Sequence, residues 1–258
     1  MSVHPRISVN SLSSLHQSLS EDITMWHQLG VRQVGLISPK LAAAGWEAAV
    51  ALVSESGLRV SNISTENTVI AESLRFAAAV GAGTVYVCSG PATDRTWEES
   101  ATSFCKDIAP LAALADELGV RLAVEPTNPL RTDVSFVHSL RDAIDLARDA
   151  GISVVVDFYS CWYERDFDKL IESHVDAVAL VQICDYVMGT FDTPNRAVPG
   201  DGDIPLRRLL STVIEAGYQG PFDLEILGPR IEAETYPPAL RRSLERIGDI
   251  LADIGVRE

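Results

Sequence analysis

The chain is poor in the residues from which many functional sites are built. Of its 258 residues only five are histidine and four are cysteine. Cys88, Cys105, Cys161 and Cys184 are scattered and form no C-x-x-C pair, which argues against a zinc ribbon or a dithiol redox centre. They read instead as small buried hydrophobes in a reducing compartment. Positive charge is scarce as well. Twenty-one Lys and Arg stand against 36 Asp and Glu, a formal net charge of −15 and a pI near 4.7. A nucleic-acid surface needs a basic stripe to displace counterions, so DNA and RNA are not expected partners. Long apolar runs are also missing, and none approaches the ~20 residues that cross a bilayer. The opening MSVHPRISVN has no basic stretch leading into an apolar core, so a cytoplasmic protein without a signal peptide is expected. No Pro/Gly/Ser-rich or charge-dense linker interrupts the chain. With 47% hydrophobic residues, one domain over residues 1–258 is the expectation.

What is present is a rhythm. Short β-branched runs occur at 6–10, 32–38, 58–64, 84–90, 121–126, 152–158, 177–184 and 222–227. Amphipathic stretches separate them, such as SLRDAIDLARDAG (139–151), where Leu140, Ile144 and Ala147 share one face and Ser139 with Asp142 resembles a capping box. Several of these stretches close on a glycine followed directly by a β run: HQLGVRQVGL, ESGLRVSNI, DELGVRLAV and RDAGISVVV. Eight strands with interleaved helices predict an α/β fold, a (β/α)8 TIM barrel in a single domain. An open doubly wound sheet is the runner-up, but no Gly-rich phosphate turn follows the first strand.

In such a barrel the C-terminal ends of the strands converge on one mouth. Those ends carry Glu125, Asp157, Gln182 and Glu225 on the fifth to eighth strands. Any one of them could cap a loop or pair with an arginine. Three anions in one partly dry mouth, however, repel each other, and the cost must be met by protonation or by a cation. A divalent metal held by all four is the economical answer. Four oxygen donors without imidazole or thiolate favour Mn2+ or Mg2+, with Co2+ admissible and Zn2+ disfavoured. Of the histidines, only His16, in the first βα loop, is placed to reach the mouth as a substrate contact. His4, His27, His138 and His174 read as helical or surface residues.

The stretches LAVEPTNP, VVVDFYSCW, LVQICD, VPGDGDI and FDLEIL resemble the sugar phosphate isomerase/epimerase group of xylose-isomerase-like TIM barrels, most closely over residues 121–228. The resemblance implies the same metal set: Glu125, Asp157, Gln182 and Glu225. Many members have histidine at the Gln182 position, whereas hydroxypyruvate-isomerase-like members have glutamine. Relatives also place histidines where this chain has Ser160 and Asn128, which makes both candidate substrate contacts and departs from a standard ketose site. Arg196 matches an arginine before the family's Gly-rich turn and could hold a substrate oxygen or phosphate, or simply pair with Asp201 or Asp203. Relatives are often dimers or tetramers, so a homo-oligomer is admissible.

The site's chemistry would start with proton removal next to a carbonyl, through a metal-stabilised enediolate. Glu125 and Glu225 approach from opposite sides as the catalytic base and acid. Return of the proton gives epimerisation or isomerisation of a keto sugar or small hydroxy-carbonyl compound. Loss of a β-leaving group from the same enolate gives a dehydratase acting on an inosose-like or 3-keto substrate. A barrel without catalysis, serving as a binding subunit, is a third reading. Around the mouth, Phe158, Tyr159, Trp162 and Tyr163 could wall the pocket, and Trp97 could act as a lid. PGDG (199–202) is a turn and, lacking a following Lys-Ser/Thr, a weak phosphate cradle.

Overall fold

The computed structural model describes residues 3–256. All eight expected strands form: β1 (Ile7–Asn10), β2 (Gln33–Ile37), β3 (Arg59–Ser64), β4 (Thr84–Cys88), β5 (Arg121–Glu125), β6 (Ser153–Asp157), β7 (Val178–Ile183) and β8 (Phe222–Leu224). They close as a parallel barrel in sequence order, with β8 returning to β1. The fold is thus the (β/α)8 TIM barrel expected from the rhythm. The four glycines that punctuate it, Gly30, Gly57, Gly119 and Gly151, end their helices at φ between 67° and 72°, a left-handed conformation that glycine adopts without a Cβ penalty. Ser139 caps helix Leu140–Ala150 by accepting from the Asp142 N–H at 3.0 Å. Fully reciprocal capping boxes occur instead at Ser18/Glu21 and Thr96/Glu99.

The outward faces of the strands and the inward faces of the helices form one continuous apolar layer, with Trp26, Leu36, Ile63, Leu74, Leu140 and Ile171 all nearly fully buried. Inside the ring the composition changes. Tyr86, Ala123, Val155, Ala179 and Leu180 form a small apolar cluster of their own. Ser8 and Ser61 bond each other across β1 and β3 at 2.7 Å, and Asn10 on β1 donates to Asp223 on β8 at 2.8 Å. This polar interior leads up to the C-terminal mouth. Among the described residues no helix is long and apolar enough to cross a membrane.

One backbone position makes that interior possible. A Cβ on Gly35 would lie 2.8 Å from both Asn62 Oδ1 and Asp223 Oδ1, closer than side-chain atoms tolerate. All three residues are packed inside the ring, with Gly35 in register with Asn62. Gly35→Ala should therefore cost about 1–3 kcal/mol, the usual penalty of overpacking. Urea denaturation will show it as a lower midpoint at unchanged slope, and an unchanged midpoint would refute the packing argument.

Candidate active site

Strand geometry alone brings the four expected groups to one rim. Glu125 and Asp157 are the last residues of β5 and β6, Gln182 is the penultimate residue of β7, and Glu225 directly follows β8. Asp157 is in register with Gln182, which is in register with Asp223. The Glu225 N–H still donates to Ile183 at 3.0 Å, so the ladder continues one residue beyond the strand. All four side chains are buried, none more than 8% exposed.

The sequence left open what Arg196 does, and the structure puts it at the centre. Its Nη2 donates to Asp157 Oδ2 at 3.1 Å and to Glu225 Oε1 at 2.8 Å, while Nη1 donates to the Glu225 carbonyl oxygen at 3.1 Å. Asp201 pairs instead with Arg242 and Arg246, and Asp203 accepts from the Met188 N–H. The Arg196 guanidinium also rests 4.8 Å over the Tyr159 ring. Its loop is held by Asp185, whose carboxylate accepts from the N–H groups of Tyr186, Gly200, Gly202 and Ile204 at 2.7–3.1 Å. The amides of the PGDG turn are thereby consumed, so the turn is not a phosphate cradle. Its glycine at 202 is required because a Cβ there would collide with Asp185.

Three carboxylates share one guanidinium, and the electrostatics follow. Burial, repulsion from Glu225 and repulsion from Asp157 push the Glu125 carboxyl well above its ordinary value. Burial raises Glu225 to about 7 against the pull of Arg196. Burial would by itself lower Arg196, but Asp157 and Glu225 hold it firmly charged. The guanidinium bonds Asp157 and Glu225 and carries one charge against three carboxyl groups.

Tyr86 was not anticipated. It reads as an ordinary strand aromatic in TVYVCSG, yet its hydroxyl donates to Glu225 Oε2 at 3.3 Å and accepts from Gln182 Nε2 at 2.9 Å. Gln182 Nε2 also donates to Glu225 Oε2. With its amide nitrogen so engaged, Gln182 Oε1 is left buried without a hydrogen-bond partner. Asp223 was also missed, although it precedes Glu225 by two and so shares its face of the strand. Burial raises it to about 6.

The remaining candidates divide. Ser160 donates to Asp157 Oδ2 at 3.1 Å, and the Tyr159 N–H donates to Asp157 Oδ1 at 3.0 Å, so both hold the acid in place. Asn128 accepts from the Leu130 N–H at 3.0 Å and shapes the loop after β5. Trp162 is half-buried, edge-on to the exposed Tyr163. Phe158 is fully buried, edge-on to Phe167. Trp97 opens helix Trp97–Leu118 and packs on Phe136, which makes it a fixed helix start and not a lid. His16 is exposed, and its partners are Glu232 and Tyr236 in the segment after β8. His4, expected at the surface, is buried.

Among the described residues no three His, Cys, Asp or Glu side chains stand at the spacing that would hold a metal ion. The guanidinium stands between two of the acids. The donor set nonetheless fits a hard divalent ion in kind: three buried carboxylates, two of them with raised proton affinity, and a buried amide oxygen with no partner.

Comparison with known proteins places this geometry. A sequence model described as xylose isomerase-like TIM barrel matches residues 26–249. The chain belongs to the xylose isomerase-like TIM barrel family. Fructoselysine 3-epimerase of Escherichia coli O157:H7 is 26% identical over 159 residues, covering 57% of this chain and 53% of that protein. The 3-dehydroshikimate dehydratase of Pseudomonas aeruginosa strain PAO1 is 26% identical over 160 residues, covering 60% of this chain and 25% of that protein. The matches thus span about half and a quarter of those relatives' lengths. Among solved structures, protein SMc04130 from Sinorhizobium meliloti 1021 superposes with a TM-score of 0.86 at 22% identity, covering 95% of this chain and 98% of that one. The IolI protein, solved with a bound zinc atom, gives a TM-score of 0.81 at 16% identity, covering 98% of this chain and 100% of that one.

The charge balance of this family member has a measurable consequence. Aspartate and glutamate in an unfolded chain lose their protons near pH 4, whereas folded Asp223 and Glu225 hold theirs to about 6 and about 7. Between those limits the folded state binds more protons, so stability falls as pH rises. Melting of chelator-treated protein should therefore move to lower temperature from pH 5 to pH 8, and more steeply in Arg196→Gln. A flat profile in both proteins would show that burial does not raise these two carboxyl groups.

Proposed function

We propose that this family member is a divalent-metal-dependent isomerase or epimerase acting on a keto sugar or small hydroxy-carbonyl compound. The observation that carries the reading is the buried group of three carboxylates and one carboxamide on four consecutive strands, with Gln182 Oε1 unpartnered. Glu125, Asp157, Gln182 and Glu225 would hold the ion, with Mn2+ or Mg2+ preferred by the all-oxygen set and Co2+ admissible. When bound, the ion supplies positive charge against the negative charge that develops on a substrate carbonyl oxygen.

The chain's own residues do the rest. Glu125 and Glu225 form an acid/base pair in which one carboxylate removes the proton beside the carbonyl and the other returns one. Both are buried, which raises their proton affinity above that of a free carboxylate and suits them to holding and passing a proton. Arg196 is a guanidinium that a substrate oxygen would meet beside them, and it rests over the Tyr159 ring. The similarity to a dehydratase favours a second reading, loss of water from the same enolate. The four cysteines are free, as suits a reducing cytoplasm.

Incubation with candidate keto compounds and Mn2+ in deuterated water tests this directly. Deuterium should enter the carbon beside the carbonyl without loss of water, and Glu125→Gln and Glu225→Gln should each abolish incorporation while melting cooperatively. Full activity in either variant would end the acid/base assignment; release of water with the label would select the dehydratase. Tyr86 deserves its own variant because it fixes which end of the Gln182 amide faces away from Glu225. Tyr86→Phe should weaken Mn2+ binding about tenfold by titration calorimetry, and unaltered affinity would show that the phenol does not orient the amide.

A further inference from the structure

The acidic residues occupy the half of the rim that follows β5 to β8. The other half, formed by the loops after β1, β2 and β3, holds a cavity of about 630 Å³. It sinks between the start of helix Leu19–Leu29 and the helices Ser38–Ala44 and Trp46–Ser56, and its walls are mostly apolar, including Leu12, Leu15, Ile37, Pro39, Ala43 and Leu52. Only two charged side chains line it. One is Lys40, whose ammonium is consumed by Asp22 at 2.6 Å and by the Ser11 and Ser14 carbonyls at 2.9 Å; the other is Glu66. The cavity is therefore built for a group without negative charge, which a phosphate is not.

Tyr86 stands between the cavity and the acid cluster. Ser64, at the end of β3, lines the cavity and is in register with Tyr86 on β4. The Tyr86 phenol bonds Gln182 and Glu225. The next residue, Thr65, also lines the cavity, and its N–H donates to the Tyr86 carbonyl at 2.9 Å. One aromatic residue thus separates the reacting groups from an apolar space of the size that takes a drug-sized ligand.

We infer that the cavity between the loops after β1, β2 and β3 receives an uncharged apolar substituent of the substrate, so that the substrate class is a hydroxy-carbonyl compound carrying an alkyl or aryl group and not a free or phosphorylated sugar. This rests on the isomerase/epimerase reading for the reacting end, but the cavity itself can be tested without turnover. Its apolar walls gain from every methylene they cover, whereas a small polar sugar leaves them wet.

Titration calorimetry with methyl, n-hexyl and phenyl β-D-glucosides is the test. The hexyl and phenyl compounds should bind at least about tenfold more tightly than the methyl compound. Ala43→Phe, which fills the cavity from an exposed helix position, should remove that advantage and leave methyl glucoside binding unchanged. Equal affinity for all three probes, or an advantage that survives both Ala43→Phe and Leu12→Asp, overturns the inference. So does light scattering that shows a dimer dissociated by Ala43→Phe, since a second copy would then be the occupant. If the probes discriminate as expected but no keto compound ever exchanges deuterium, the isomerase reading fails and the cavity assignment stands. If small unsubstituted ketoses exchange as well as substituted ones, the reverse holds.

Discussion

A single buried guanidinium holds the mouth of this barrel together. Without Arg196, Asp157 and Glu225 would face each other and Glu125 with no positive partner in a region from which water is largely removed. Much of the neighbouring loop exists to put that one group in place. Asp185 gathers four backbone amides, Ala197 and Asp185 exchange a pair of main-chain bonds, and the Arg196 N–H is fixed to the Leu227 carbonyl beyond β8. The loop is thus strapped at both ends, and the guanidinium projects from a rigid platform.

The rim has two characters. On one side, buried acids are arranged around the arginine and linked downward through Tyr86, Asn10 and Asp223 into the ring. On the other, apolar loops surround a space whose only cation is already neutralised by Asp22. A substrate spanning the two would have its reactive carbonyl fixed by charge and its remainder held by shape. The division follows strand order: polar strand ends crowd the second half of the chain, and the first half contributes mostly serine and aliphatic side chains.

Most of the architecture was legible because it depends on local signals. Glycine stops and β-branched runs are sequence-local, so all eight strands and the rim positions of Glu125, Asp157, Gln182 and Glu225 could be read off. What escaped depends on tertiary choice. Arg196 had acids within a few residues and chose others 29 and 39 positions away, a preference visible only when the barrel closes. Tyr86 carried no sign distinguishing it from any strand aromatic, since half of a strand's side chains point inward and half outward. Phe158 and Trp97 looked available to a pocket because they adjoin rim segments, but each belongs to a helix start that packs inward. Asp223 alone could have been found, by applying the two-residue period backward from Glu225.

Gly35 ties three positions on separate strands into one evolutionary unit. Its missing side chain is the volume that Asn62 and Asp223 occupy, and Asp223 in turn accepts from Asn10. A lineage that regained a methyl at 35 would first have to shrink residue 62 or 223, and with it give up part of the polar column under the acidic rim. Homologues should therefore change these sites jointly or leave them all alone, so that drift in the floor of the barrel is constrained by neighbours rather than by chemistry.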